Sequence, residues 1–316
     1  MAHGLEIIDG KASMAYAGVP PWHNTKTHST HVLNGLTPQE MMKEAGVDWT
    51  VALVPAFAKV GQGYVDTNTK ALVRTSDNTV LSMVGPRWVP VQNAEAFAFY
   101  NEFVADGSMT METAGALCGG KMVWALAKLK DSFTLFGGDT VQGYLLFSNP
   151  HLYGKKVKVK LTPIRVVCWN TLQLALNKQT EMTIEVNHSR EFDPEKVRLT
   201  LGLASIRLTQ YKQEVEFLGS KQHSKAAVSE YFKRLFPTSM KTISRPAAKM
   251  IETLETQPGR EFAPGSWWQA YNSVTYTIDH LLGNQPDTRM YQAWYGNRQK
   301  QKLRALESAL EYSRAA

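Results

Sequence analysis

Cysteine is scarce in this sequence, and long apolar runs are absent. The 316 residues include two cysteines, Cys118 and Cys168, which are too few for a disulfide framework or a cysteine-based zinc site. No apolar run approaches the ~18 residues that a membrane-spanning helix needs. The first residues do not combine a basic segment with an apolar one, so we expect no signal peptide. These absences predict a cytoplasmic protein without membrane contact.

The common catalytic motifs are missing as well. The sequence contains no GxxxxGK(S/T) phosphate loop, no GxGxxG after a predicted strand, no HExxH and no GxSxG. Two possible sites remain open: a metal bound by His23, His28 and His31, and a nucleophilic Cys168 that uses His188 as its base. Loop histidines and a small buried thiol are the commoner outcomes for such residues. We therefore predict a non-enzymatic protein that needs no cofactor and no metal.

Acidic residues are absent from one stretch of the chain, between Asp139 and Glu181. That stretch holds six cations, namely Lys155, Lys156, Lys158, Lys160, Arg165 and Lys178. From Lys156 to Leu161 lysines alternate with valine or leucine. Successive side chains of a strand point to opposite faces. We therefore predict a strand with one apolar face and one cationic face.

The cationic face predicts a polyanionic ligand. Alternate residues of a strand lie roughly 6.6–6.8 Å apart, a spacing that resembles phosphates along an extended single strand. No acid lies nearby in sequence to relieve the lysines, and each neutralised phosphate adds a salt-dependent contribution to affinity. The predicted nucleic-acid contacts are Lys155, Lys156, Lys158, Lys160, Arg165 and the stacking residue Trp169. Further stacking candidates in the same stretch are Tyr144, Phe147 and Tyr153. The alternative is a solvated edge strand whose lysines block aggregation.

The apolar pattern predicts an α+β protein, with a mostly antiparallel sheet, packed helices and an all-helical C-terminal part. Predicted strands cover 49–60, 71–75, 80–85 and several segments between 109 and 188. Thr37 to Glu40 has the form of a capping box that opens a short helix. Asn93 is placed to cap a helix over 93–105.

The division into domains follows the change from strand to helix patterns. We expect an α+β domain over 1–190, which carries the basic strand, and a helical domain over 191–316. Predicted helices in the second domain cover 194–219, which Asp193 caps, 224–236, 244–256, 266–283 and 297–313. Within 266–283, one stripe is approximated by Trp268, Tyr271, Val274, Thr275, Ile278 and Leu282. Such a stripe is typical of a buried core and, less often, of an oligomer contact.

Several short motifs resemble, in order along nearly the whole chain, one family of prokaryotic proteins. They are the initial Met-Ala-His, Tyr16-x-Gly18, Pro21-Trp22-His23, the segment from Arg165 to Leu172, Asn187-His188-Ser189, Trp268-x-x-Tyr271-Asn272 and Asp279-His280. The resemblance is to the phage/plasmid-like protein family, a domain of unknown function, and implies a phage or prophage gene. That family usually continues Pro-Trp-His with Gly-Leu-Gly, whereas this chain has Asn24-Thr25-Lys26.

The family has no settled activity to transfer. Its β-rich first part with a basic strand is similar, at the level of fold, to phage single-strand annealing proteins. Those proteins act without ATP as rings or filaments and hold single-stranded DNA in a basic groove. The similarity implies a homo-oligomeric, single-stranded DNA-binding and annealing protein of recombination or replication, in the host cytoplasm, with RNA as an alternative ligand. A second hypothesis is a non-enzymatic phage protein that binds and modulates a host factor.

Overall fold

A computed structural model of the chain describes residues 6–8, 10–18, 29–165, 170–171, 183–189, 192–193, 195, 204–238, 242–282 and 296–315. The fold is α+β, as predicted, with antiparallel and mixed sheets followed by packed helices. The described residues form two compact units. The first lies within Met1–Lys130, Leu145–Leu161 and Thr183–Leu201, and the second within Asp131–Tyr144, Thr162–Met182 and Gly202–Ala316. Residues 131–144 thus belong with the helices, and a domain boundary after residue 190 stays a prediction.

The strands form a large sheet and two small ones. In chain order they are β1 (Ile7–Ile8), β2 (Lys11–Ala12), β3 (Met14–Ala17), β4 (Thr30–Val32), β5 (Val51–Val60), β6 (Gly63–Arg74), β7 (Thr79–Val84), β8 (Met109–Leu117), β9 (Met122–Leu135), β10 (Asp139–Pro150), β11 (Val157–Arg165), β12 (Asn170–Thr171) and β13 (Thr183–Val186). The large sheet has the order β12-β11-β10-β9-β8-β3-β4, and β13 also pairs with β11. Strands β5, β6 and β7 form a separate antiparallel sheet. Strands β3 and β4 are parallel, in contrast to the antiparallel pairs β3–β8 and β8–β9.

The helices are short in the first unit and longer in the second. They are α1 (Pro38–Glu44), α2 (Asn93–Ala98), α3 (Asn101–Ala105), α4 (Ala204–Ser220), α5 (Lys225–Leu235), α6 (Arg245–Leu254), α7 (Trp267–Tyr276) and α8 (Asn297–Ala315). A π-helical turn, Thr277–Leu281, follows α7 directly.

The predicted capping box of α1 is confirmed. The Thr37 hydroxyl accepts a hydrogen bond from the Glu40 amide, and the Glu40 carboxylate accepts one from the Thr37 amide. The cap predicted at Asn93 is wrong, because Gln92 occupies that position and Asn93 is buried instead. The predicted helix over 93–105 is also two helices, α2 and α3.

The core of the second unit surrounds α7. Its residues from Trp267 to Thr275 are all buried. The predicted buried stripe is confirmed as far as Ile278, whereas Leu282 is half-buried. Ser266 caps the helix by accepting a hydrogen bond from the Gln269 amide. The indole Nε1–H of Trp268 donates to the fully buried Asp139 carboxylate at 2.8 Å. This bond fixes the helix against a residue that lies 129 positions earlier in the chain.

Candidate nucleic-acid interface

Strand β11 has the alternation that the sequence predicts. Val157, Val159 and Leu161 are at most 1% exposed, while Lys158 and Lys160 are half-buried on the other face. The alternative of an edge strand is wrong, because β11 has β10 on one side and β12 and β13 on the other. The lysines therefore project from an interior strand of the sheet.

Lys156, immediately before β11, and Lys158 and Lys160 within it form a row on one face, which we call the lysine row. Contrary to expectation, one acid partly neutralises its charge. Strand β13 runs antiparallel to β11 and places Glu185 directly opposite Lys158. The Glu185 oxygens lie 2.8 Å from Lys158 Nζ and 2.9 Å from Lys156 Nζ. The hydrogen bonds from Lys158 and Lys156 hold the pKa of Glu185 below its usual range, although partial burial opposes them. The row is therefore partly neutralised within the protein. The sequence contained a signal for this, since Ile184-Glu185-Val186 has the same apolar–polar alternation as β11.

The remaining predicted contacts fall in different places. Lys155 is exposed just before β11, and Lys160 lies opposite Thr183 of β13. Arg165 ends β11, where its backbone pairs with Asn170. Trp169 lies outside the described residues. Of the further aromatic candidates, Tyr144 and Phe147 are buried, whereas Tyr153 is 66% exposed.

A cleft of about 500 Å³ opens where β11 begins. Three loops of the first unit line it: residues 85–88 after β7, residues 153–156 before β11, and residues 187–189 after β13. Arg87, Lys155 and Lys156 contribute exposed cations. Sequence reasoning missed Arg87, because the loop that carries it lies far from the acid-free stretch along the chain. The cleft thus collects charge from three segments that only the fold brings together.

Aromatic rings line the same cleft. The indole of Trp88 stacks on the imidazole of His188, with ring centres 4.0 Å apart and planes 12° apart. Tyr153 stands 6.4 Å from Trp88 and is inclined by 36°. Rings next to exposed cations form a surface that can take a base and a phosphate of one nucleotide.

The cleft lies within the part of the chain that matches a known protein family. The chain matches the family described as domain of unknown function (DUF932) over residues 80–307. The chain belongs to the DUF932 family. No curated protein and no solved structure matches it. The match includes β11, β13 and all three loops of the cleft, while β5 and β6 of this DUF932 chain precede it.

Burial favours the neutral form of the His188 ring in this DUF932 chain. It is 4% exposed, and its Nδ1–H donates to the Val89 carbonyl at 3.1 Å. Burial lowers its pKa, although the carbonyls of Val89 and Pro150 act in the opposite direction. A neutral imidazole places no like charge beneath Trp88 or beside the lysines. Attraction of an anion therefore depends on the lysine and arginine side chains.

A buried polar network supports the loop that precedes β11. His151 is 1% exposed, and its Nε2–H donates to the Asn93 side-chain oxygen at 2.9 Å. The Asn93 amide in turn donates to the carbonyls of Val47 and Trp49. Burial, with a smaller effect of His188, lowers the pKa of His151 to about 3. This network explains why Asn93 does not cap α2, since its side-chain oxygen, which a cap would use, accepts hydrogen bonds from His151 and Asn149 instead.

The structure describes only some residues of the two other sites considered from the sequence, the histidine cluster and the cysteine site. Cys168, His23 and His28 lie outside the described residues. The His31 Nε2 lies 3.2 Å from the Gly18 carbonyl oxygen. Within the described ranges, no group of three His, Cys, Asp or Glu side chains could hold a metal ion. In the same ranges no helix has both the length and the apolar character to cross a bilayer.

Proposed function

We propose that this DUF932 chain is a phage or prophage protein that binds single-stranded DNA and promotes annealing of complementary strands without ATP. The observation that carries the proposal is the cleft, in which Arg87, Lys155 and Lys156 stand beside Trp88 and Tyr153. Single-stranded nucleic acids are bound by this combination, because cations track the phosphates while aromatic rings stack on bases.

The lysine row extends the cleft along the sheet. Lys156 lines the cleft and is followed by Lys158 and Lys160 on one face of β11. A strand that enters the cleft can continue over these lysines, with phosphates replacing the Glu185 carboxylate as their counterion. The lysines give up their ion pairs with Glu185 when they bind phosphates, so this exchange adds only part of the usual gain in affinity for DNA. The displaced Glu185 carboxylate therefore limits what the row adds to affinity.

Annealing needs no chemical step from the protein. Base pairing supplies the driving force, and the protein contributes a surface that holds several strands at high effective concentration. The absence of the phosphate loop from the sequence agrees with an ATP-independent process. A homo-oligomer would supply the required multivalency.

The proposal is tested by salt titration of binding to fluorescent oligothymidylate. We expect Arg87→Glu/Lys155→Glu to weaken binding more than tenfold at about 50 mM salt and to lower the salt slope by about 1.4, since each single-strand phosphate contact contributes about 0.7. The matched control is Lys11→Glu/Lys43→Glu, which changes two exposed lysines outside the cleft. Undetectable binding by the unmodified protein at low salt, or equal losses in both variants, would refute DNA binding at the cleft.

Stacking separates DNA from an acidic protein partner, which is the second candidate. The partial neutralisation of the lysine row by Glu185 favours this candidate, because a few exposed cations suffice for a protein contact. Tyr153→Ala should weaken DNA binding by about 5- to 150-fold, as expected for ~1–3 kcal/mol of stacking, without changing the salt slope. Tyr153→Phe keeps the ring and should retain affinity. No loss for Tyr153→Ala would favour the protein partner.

A further inference from the structure

The cleft at the start of β11 is small for a site that binds a length of DNA. Its volume of about 500 Å³ lies within the range of sites for single small molecules, roughly 300–1,000 Å³. Folds that bind single strands along their length hold roughly 4–16 nucleotides in a groove. The cleft therefore takes one nucleotide, and the rest of a bound strand lies outside it.

The charge of the cleft exceeds what one internal nucleotide requires. Arg87, Lys155 and Lys156 line the cleft, and among the described residues that line it none is acidic. Glu185 pairs with Lys156 from outside the lining and is shared with Lys158. An internal phosphodiester carries about one negative charge, whereas a phosphate monoester carries about 1.5–2 near pH 7. A monoester, which occurs only at a strand end, therefore matches these cations better than a diester does.

Arg87 has the chemistry that a terminal phosphate needs. Its side chain is exposed and makes no ion pair or hydrogen bond within the part of the chain that the structure describes. A guanidinium presents parallel N–H donors that bind two phosphate oxygens at once. Lys155 and Lys156 reach the cleft from a different loop, so the oxygens of one phosphate can be contacted from two segments. A monoester has three such oxygens free to accept hydrogen bonds.

The rings of the cleft provide for one base beside that phosphate. His188 covers one face of the Trp88 indole, with ring centres 4.0 Å apart, so only the other face can take a base. Tyr153 stands 6.4 Å from Trp88 and is 66% exposed. Atoms in contact lie roughly 3.5–4.0 Å apart, so one base can contact both rings. A base and its own phosphate thus account for the rings and the cations of the cleft.

The lysine row leaves the cleft in one direction. Lys156 lines the cleft, and Lys158 and Lys160 follow it along β11. The other described residues that line the cleft, such as Asn187 and Ser189, carry no formal charge. An internal segment of a strand must leave the cleft on two sides, whereas a strand end leaves on one. The single lysine row corresponds to the path of an end.

We propose that the cleft receives the phosphorylated end of a single strand. The terminal phosphate monoester binds Arg87, Lys155 and Lys156, and the terminal base lies against Tyr153 and Trp88. This inference rests on the proposed function and adds to it a preference for strand ends, where annealing would then begin. A 5′-phosphate and a 3′-phosphate present the same chemistry, so the experiment includes both.

Competition against a fluorescent oligothymidylate, measured by anisotropy with the full chain, tests the proposal. The competitors are four oligothymidylates of equal length: one with a 5′-phosphate, one with a 3′-phosphate, one with hydroxyls at both ends, and one circle. We expect the better of the two phosphorylated strands to compete at least about tenfold more strongly than the strand with hydroxyl ends or the circle, because hydrogen bonds to a charged phosphate are the stronger ones. That strand identifies the end that the cleft binds.

Variants locate the preference in the cleft. Arg87→Gln should reduce the preference for the phosphorylated end to less than about threefold, because the bidentate contact is lost. The matched control is Arg260→Gln, which changes an exposed arginine of the second unit and should keep the preference. Lys160→Gln should weaken all four competitors by similar factors, because the lysine row contacts internal phosphates. Circular dichroism confirms folding of each variant.

The outcomes separate this inference from the proposed function. Equal competition by all four strands would overturn the preference for ends and leave DNA binding in place. A preference that Arg87→Gln leaves intact would also overturn the inference, since the terminal phosphate would then bind outside the cleft. Failure of every strand to bind would refute the proposed function together with the inference.

Discussion

At the scale of single residues, Glu185 controls how much of the charge of the lysine row is available to bind phosphates. Its two oxygens bind Lys156 and Lys158 at 2.9 and 2.8 Å. We expect Glu185→Gln to tighten binding of oligothymidylate about 3- to 10-fold at low salt, because both lysines lose their internal counterion. The salt slope should rise by about 0.7–1.4 as one or two more phosphates are contacted.

Fluorescence anisotropy at several salt concentrations measures this change. Glu44→Gln removes an exposed carboxylate outside the site and controls for the general effect of one negative charge. If both variants tighten binding equally, Glu185 acts only through net charge. If neither does, the lysine row takes no part in binding.

These residues also show what local sequence can and cannot predict. The capping box of Thr37 and Glu40 is predicted because both of its bonds join residues three positions apart. The alternation of β11 follows from the geometry of a single strand. Glu185 and Asn93 escape prediction because their partners come from strand pairing or from positions more than forty residues away. The cleft was missed for the same reason, since three separate loops form it.

At the scale of elements, a buried ion pair joins the π-helical turn to α8. Lys302 Nζ lies 2.8 and 3.1 Å from the Asp279 oxygens, and the side chains are 0% and 7% exposed. Burial lowers the pKa of Lys302 despite the attraction of Asp279. We expect Lys302→Ala to reduce the free energy of unfolding by about 3–5 kcal/mol, because it removes the cation that balances a buried carboxylate.

Urea denaturation followed by tryptophan fluorescence measures this loss. The double variant Lys302→Met/Asp279→Leu removes both charges and should recover most of the stability. Lys300→Ala, at an exposed position of the same helix, should stay within about 0.5 kcal/mol of the unmodified protein. If the double variant is as unstable as Lys302→Ala, packing rather than charge pairing accounts for the effect.

At the scale of the whole molecule, the two units respond to pH in opposite directions. In the first unit the pKa of His151 is about 3 in the folded state, far below the 6.5 of a free histidine. As the pH falls, the unfolded chain therefore takes up a proton on His151 before the folded protein does. The contribution of His151 to stability is complete above pH 6.5 and is lost as the pH falls towards 3. The loss is on the order of 1 kcal/mol for each pH unit within that window.

In the second unit, burial raises the pKa of Glu214 to about 7, against the opposing effect of Arg314. Here the folded state holds the proton more tightly than the unfolded chain, so stability falls as the pH rises from 4.5 through 7. We expect Glu214→Gln to be more stable than the unmodified protein at pH 8 but not at pH 4.5.

His151→Gln, whose amide can still donate to Asn93, should lose less stability on acidification. Thermal unfolding between pH 4.5 and 8 measures both effects. Curves of stability against pH that stay parallel for all three proteins would show that neither group titrates with folding. Opposite deviations of the two variants would assign the loss of stability at acid pH to the first unit and the loss at alkaline pH to the second.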